Sequence, residues 1–375
     1  MDEPENNAGL RPPPLRAVPT IHDVAKRAGV STSTVSRSLT GGSRVSEETR
    51  ERVRRIADEL GFRPSRSAQA LRSSRTGTIG LLAPNLENPI SYDHLRATIR
   101  KAHERGYTVL VGDGQENPEI QDAELARMRD YRVDGVILGR GIVPITQLLV
   151  DTILSPLPVE PYIVPGTLEA QLGMRINVYR DTTADAVGAT LAYRRLARLG
   201  HRRFAIFLFT HASTRTGRGR HFLLEEVLAS EGAVAEVHKV AVNEPDECLS
   251  QIQRLMAAKD APTAIISANG RLTPYVLEGL QSSGVRIPAD VSFLSFGDSR
   301  WHRAYAPPIS VIREDYAAVA ERTVDRLVQR IGGARLEPDE LRQSEFVTRE
   351  SIGPAPERAM ANVRVGLARR SRDIG

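Results

Sequence analysis

Residues 31–37 read STSTVSR, five hydroxyl side chains in seven, ending on an arginine. A guanidinium can pair bidentately with a guanine edge, and serine or threonine hydroxyls can meet several bases. The wider run VSTSTVSRSLTGG, residues 30–42, looks by composition like a polar linker, because Ser and Thr compete with the helical backbone for hydrogen bonds. A second basic group, Arg218 and Arg220 in RTGRGRHF, suits a phosphate or carboxylate. Catalytic patterns are weak by contrast. No G-x-x-x-x-G-K-S/T is present, and FLSFG has Phe293 at the first glycine position of a nucleophile elbow. The eight histidines are scattered, with no H-E-x-x-H and no paired Cys-His spacing, so no metal site and no cofactor are expected. His201 in LGHRR reads as a structural surface residue just before a strand. The chain does not read as an enzyme.

For the 31–37 run to do its chemistry it must be a helix held from behind. Val35 and Leu39 are i, i+4 neighbours that can join a core, which sends Ser33 and Arg37 to the opposite side, about 160° and 200° around the helix. The flanks supply that core. In TIHDVAKRAG, Thr20 caps a helix with Asp23 three residues on, Ile21, Val24, Ala25 and Ala28 form one stripe, and Gly29 ends it. In SEETRERVRRIADELG, Ser46 caps, Glu47 and Glu48 suit the helix dipole, Val53, Ile56, Ala57 and Leu60 form the stripe, and Gly61 stops it. About four residues separate the first two helices, which is helix-turn-helix spacing. Residues 63–76 follow as a linker, with Pro64 placed to open a helix of about two turns, too short to stand alone and able to form against a partner.

Charge agrees with a polyanionic partner. Pro19–Arg75 carries twelve Lys/Arg and six Asp/Glu, a net of +6, while the whole 375-residue chain is +5. The single cysteine, Cys248, permits no intrachain disulfide, and no apolar run approaches the roughly 20 residues of a membrane span, so a reducing, cytoplasmic setting is expected. Residues 1–18 are acidic and then proline-rich and read as a disordered lead-in. The tail, residues 354–375, with Arg358, Arg364, Arg369, Arg370 and Arg372, reads as basic and frayed.

From Thr78 the pattern changes. TIGLLAP, YTVLVG, VDGVILG, RFAIFLF, TAIISAN and VSFLSFG are short β-rich apolar runs, alternating with helical patterns at 91–105, 119–131, 185–199, 221–231, 246–258, 272–283 and 314–331. The number of units predicts an α/β core of two doubly wound parallel-sheet subdomains, with ligands outside the carboxyl ends of the strands.

The stretch from TIHDVAKRAGVSTSTVSRSLTGGSRVSEETRERVRRIADELGF to NLENP resembles the LacI-type bacterial transcription regulators almost without gaps. The likeness continues through RVDGVILG, LARLGHRRFAIF, PTAIISAN, GVRIPADVSFLSFGD and VTRES, covering roughly residues 19–353. It implies an all-α helix-turn-helix domain (19–63), a hinge helix (64–76) and a periplasmic-binding-protein-like core (77–353). In that core an N-subdomain takes 77–180 plus 312–333, and a C-subdomain takes 181–311 plus 334–353. It implies a homodimer on a palindromic double-stranded DNA operator, acting as a repressor under a small-molecule effector and nucleoid-associated when bound.

Carried over by position, Thr32, Ser33 and Arg37 are the base readers. Thr20, Ser31, Thr34 and Ser36 are phosphate contacts. In the hinge, Leu71 is the wedge that unstacks a base step, Ala68 lies against the groove floor, and Arg66 and Arg72 meet phosphates. In the effector pocket Arg218 fits the family's arginine. Asn269 fits the first member of an Asn-Asp pair whose second position is Gly270. SFGD keeps only Asp298, with Gly297 in place of the other acid. Asn88, Tyr92, Phe296 and Trp301 are further pocket candidates. Two carboxylates that would hold ligand hydroxyls are missing, which points to an anionic or less hydroxylated effector, or to none. Two other readings stay open: a core that only dimerises, and a solute-binding sensor of the same two-lobed fold.

Overall fold

The computed structural model describes residues 19–40, 45–63, 75–139, 146–161, 186–209, 215–232, 235–336 and 343–356. The chain divides into two compact units, 1–76 and 77–375.

The first unit holds α1 (Ile21–Ala28), α2 (Thr32–Thr40) and α3 (Glu47–Leu60). Asp23 closes the start of α1 by accepting the Thr20 backbone N–H at 2.8 Å and the Thr20 hydroxyl at 2.7 Å. These two bonds hold its carboxyl below the ordinary carboxylate range. Gly29 and Gly61 both take left-handed φ, 67° and 68°, and end α1 and α3. Val24, Val35 and Val53 are fully buried and meet Ile56, Ala57 and Phe62 at the centre, with Ile21, Leu39 and Leu60 at the margin. Each buried valine contributes about 1.5–3 kcal/mol, a large share of what so small a unit can gather.

The second unit has two sheets. The first runs β2-β1-β3-β4, all parallel, from β1 (Thr78–Ala83), β2 (Thr108–Asp113), β3 (Gly135–Leu138) and β4 (Val159–Pro161). Helices α4 (Pro89–Glu104), α5 (Pro118–Asp130) and α6 (Gln147–Leu154) connect them. The second sheet runs β10-β9-β8-β7-β5-β6. Its strands are β5 (Arg203–Phe209), β6 (Glu236–Val242), β7 (Ala264–Ser267), β8 (Ser292–Phe296), β9 (Ser310–Arg313) and β10 (Glu345–Val347), with β10 antiparallel to β9 and the rest parallel. Its helices are α7 (Ala186–Arg198), α8 (Arg215–Ser230), α9 (Glu247–Ala257), α10 (Thr273–Ser282) and the short α11 (Arg300–Ala304).

RFAIFLF is apolar throughout because β5 is covered on both faces. Phe204, Ile206 and Leu208 pack on Tyr193, Leu196 and Leu224, while Ala205, Phe207 and Phe209 face Ile252, Val276 and Leu280. Strand order reverses between β1 and β3 in one sheet and between β5 and β7 in the other, so both sheets offer a crevice at their carboxyl ends.

The chain returns to the first sheet through α12 (Tyr316–Ile331), whose Val324 and Leu327 pack on Ile79 and Ile137. Buried Glu160 of β4 accepts from Arg326 Nε at 2.6 Å and also pairs with Arg330. Ile312 and Arg313 belong to β9, pairing with β10, and α12 begins at Tyr316, a few residues past the expected return at about 312. His201 corrects an expectation. It is fully buried, with ring nitrogens 3.0 Å from the Thr263 hydroxyl and from the Gly353 carbonyl, and burial lowers its pKa.

Candidate DNA interface and interlobe cleft

In α2 the run STSTVSR folds as the core requires. Val35 points inward at 0% exposure, and Ser33 and Arg37 are exposed on the other side. Ser31 caps the helix, its Oγ accepting the Thr34 N–H at 3.1 Å and lying 2.8 and 2.9 Å from the Ser33 and Thr34 hydroxyls. Arg37 is folded back along its own helix, with Nε donating to the Ser33 carbonyl at 3.1 Å and Nη2 to the Ser33 hydroxyl at 3.3 Å. Thr32, Thr34 and Ser36 are half-buried beside this face, and Thr20 is exposed at the start of α1. One hydroxyl breaks the outward pattern: Ser38 is buried and donates to the Thr34 carbonyl at 2.9 Å. Arg66, Ala68, Leu71 and Arg72 lie outside the described residues.

An ion-pair clasp joins segments that follow the carboxyl ends of strands in the two sheets of the second unit. Arg271, four residues past β7, reaches Glu87 after β1 at 2.9 Å and Glu116 after β2 at 3.2 Å. Its guanidinium also lies 5.3 Å from the centroid of Phe209, the last residue of β5. Nothing local in the sequence marked Arg271.

The expected pocket residues stand at or beyond the carboxyl ends of β1, β7 and β8. Asn269 spends its Oδ1 on the Arg271 backbone N–H at 2.9 Å, shaping the turn into α10. The Asn88 carbonyl accepts the Ser91 N–H at 2.8 Å at the start of α4, and Tyr92 is exposed on that helix. Phe296 is buried beneath Arg220, whose guanidinium sits 3.9 Å above the ring while its Nη1 donates to the Ala268 carbonyl. Trp301 stacks on His302 at 3.7 Å. Arg218 falls in the first turn of α8, where the side chains lie outside the described residues. Gly297 takes φ 92°, a conformation open chiefly to glycine, and donates to the Ile312 carbonyl at 2.8 Å.

The Asp298 side chain is 2% exposed, and Oδ2 accepts from Arg349 Nη2 at 2.6 Å, with Arg313 and Arg303 at 3.9 and 4.0 Å. It lines a cavity of about 720 Å³ outside the carboxyl ends of β8 and β9, walled on the other side by Asp93, Arg96 and Arg100 of α4. Of the six expected pocket residues whose side chains are described, Asp298 alone lines it. Next to it His302 is buried, with Nδ1 2.9 Å from the Ser299 hydroxyl, and burial pushes its pKa down to about 4. Elsewhere, Glu236 and His238 of β6 and Asp260 bring potential metal-ligand atoms within 4.8 Å of one another, a grouping hidden by the distance between 238 and 260. Exposed acidic groups gather in this way without an ion.

Comparison with known proteins follows the two units. Residues 20–65 match the model of bacterial regulatory proteins of the lacI family, and residues 193–352 match a periplasmic binding protein-like domain. The chain is 30% identical over 344 residues to the HTH-type transcriptional repressor PurR of Erwinia tasmaniensis, covering 90% of this chain and 98% of that one. The PurR of Escherichia coli O139:H28 gives the same figures. Among solved structures it is similar to a lac repressor dimer bound to operator and the anti-inducer ONPF (TM-score 0.75, 24% identity, covering 89% of this chain and 99% of that one). It is also similar to the transcriptional regulator CelR in complex with cellobiose (TM-score 0.60, 24% identity, covering 89% and 100%). These two likenesses carry the fold.

Proposed function

The chain belongs to the lacI family of bacterial regulatory proteins, and from that premise we propose how this DNA-binding transcriptional regulator works. Two copies bind a palindromic operator. Each lays α2 in the major groove, where Arg37 reads a guanine edge and Thr32 and Ser33 contact neighbouring bases. Ser31, Thr34, Ser36 and Thr20 hold phosphates, while Leu71, flanked by Arg66, Ala68 and Arg72, wedges the minor groove at the operator centre. A small-molecule effector in the interlobe cleft of the core sets the affinity, and the protein works as a cytoplasmic repressor with no catalytic role. The observation that carries this reading is the face of α2 opposite Val35, on which Ser33 and Arg37 stand exposed.

A gel shift with selected operator DNA at two salt concentrations tests it. Affinity should fall steeply as salt rises, because each neutralised phosphate releases counterions. Arg37→Ala should lose about 1–3 kcal/mol of discrimination at one base pair while keeping the salt slope nearly intact. Salt-independent binding, or unchanged sequence preference in Arg37→Ala, would refute it. The Arg271 clasp favours a second reading, a core that closes on itself and needs no effector. A thermal-shift screen of the full chain against metabolites separates the two, since binding to the folded state raises the midpoint.

A further inference from the structure

Asp298 presents a buried carboxylate that is half satisfied. Oδ2 takes the Arg349 guanidinium, whereas Oδ1 is buried and has no hydrogen-bond partner among the described residues. A desolvated acceptor of this kind is costly to leave unmade and is relieved by any N–H or O–H brought to it. Asp298 lines the cavity of about 720 Å³, a size within the range of small-molecule sites. The same wall carries guanidiniums with donors to spare. Arg303 is 62% exposed and only 4.0 Å from Oδ2, and Arg313 is 44% exposed and shares itself with Glu345 at 2.7 Å. Arg96 faces them from α4. Drawn from the cavity's own Asp93, Glu314, Asp315 and Glu345, guanidiniums arranged so bind a ligand carboxylate in fork geometry.

We infer that this cavity receives a small organic acid carrying an N–H or O–H donor on the carbon next to its carboxylate. The inference rests on the effector-regulated reading above and names the class of effector. The ligand carboxylate draws Arg303 and Arg313 off the Asp298 edge, and the neighbouring donor then reaches Oδ1. A neutral polyol satisfies the acceptor and leaves the guanidiniums unmatched. A plain carboxylate does the reverse. The cavity includes Glu314 and Asp315, between β9 and α12, and Glu345 of β10, the segments through which the chain passes between lobes, so occupancy bears directly on their relative position.

Isothermal titration of the full chain with L-glutamate, 2-hydroxyglutarate, glutarate and D-glucose tests the assignment, because the three acids share one carbon skeleton. One or both donor-bearing acids should bind at least about tenfold more tightly than glutarate, and glucose should give no heat; which donor wins tells ammonium from hydroxyl. Arg303→Ala, at an exposed position, should keep the thermal midpoint and weaken the acid at least about tenfold. Asp298→Asn should bind glutarate and the donor-bearing acids alike. No binding by any acid, equal binding of all three, or an unaltered affinity in Arg303→Ala overturns the inference. If the protein still retards operator DNA in a salt-dependent way, only the ligand class has failed; if DNA binding is absent, the regulatory reading fails whatever the calorimetry gives.

Discussion

Replacing Arg271 by alanine should open the cleft. Its pair with Glu116 is largely withdrawn from water, the two side chains being 18% and 15% exposed, whereas Glu87 is 71% exposed. At 3.2 Å and an effective dielectric near 20, the Arg271–Glu116 attraction is about 5 kcal/mol before desolvation is subtracted. The exposed Glu87 arm adds at most about 1 kcal/mol. Truncating one partner of a mostly buried pair leaves the other charge stranded, at about 3–5 kcal/mol when burial is complete. Allowing for the residual exposure, about 2–3 kcal/mol of bias toward the closed cleft should vanish, a change of roughly a hundredfold in the closed-to-open ratio. Spin labels report this directly. The sole native cysteine, Cys248, is buried, so labels attach only at cysteines introduced at exposed Arg129 on α5 and Glu278 on α10. In Arg271→Ala the distance distribution across the cleft should lengthen and broaden. Glu116→Gln should do the same, Glu87→Gln far less, and the exchange Glu116→Arg with Arg271→Glu should restore the closed distribution in part. Identical distributions in wild type and Arg271→Ala would refute the clasp as the closing element.

Other consequences are narrower. Gly188→Ala should destabilise the core by about 1–3 kcal/mol in denaturant melts, since an added Cβ would stand 2.7 Å from Ser344 Oγ and 3.0 Å from the Glu345 carbonyl carbon; an unshifted midpoint would mean that β10 yields freely. His302 titrates at about 4 in the folded chain against an ordinary 6.5, so the folded state holds fewer protons between these values. Stability is fully present above pH 6.5 and should fall by about 2 kcal/mol from this residue between pH 7 and 5, a slope that His302→Gln should flatten. Cys248, whose thiol burial pushes up to about 12, should be inert to thiol reagents in the native protein and react once it is unfolded; fast native labelling would contradict its packing. Leu71→Ala should weaken operator binding strongly and leave dimerisation intact, and undiminished DNA bending by that variant would remove the wedge role.

What could be read along the chain was whatever repeats locally. The stripe Ile21, Val24, Ala25, Ala28 and the caps at Thr20 and Ser46 specify α1 and α3 within a few residues, and the burial of RFAIFLF on both faces explains its uninterrupted hydrophobicity. Phe62 escaped notice because it lies one residue beyond the stop signal of α3, where the Gly61 turn swings it back under Ala57. The edge strands β4 and β10, three residues each, are too short to carry a period, and β9 has only four. The cleft was least legible. Arg271 meets Glu116 across 155 positions, and Asp298 meets Arg349 across 51. Complementary charge at such separations leaves no mark on local sequence, and the cavity beside β8 and β9 takes in Asp298 but not Asn269, Tyr92 or Trp301.

On the reading proposed above, the two charged features of the core act on one equilibrium from different places. The Arg271 clasp spans the ends of β7, β1 and β2, while the Asp298 cavity lies outside β8 and β9, beside the segments that cross between lobes. A ligand shifts such an equilibrium only by its differential affinity for the two states. Because closure is already favoured by an internal arginine, a ligand that merely fills the closed cleft gains little leverage. One that recruits Arg313 away from Glu345 loosens β9 from β10 at the point where the chain leaves the second sheet for α12. Glycine at 270 and 297, where the resemblance leads one to expect carboxylates, and Arg220, Arg271, Arg303 and Arg313 around the strand ends fit that inference together. On the inference drawn above, the cavity offers a ligand donors as well as acceptors, and its response turns on competition between its own carboxylates and those of the ligand.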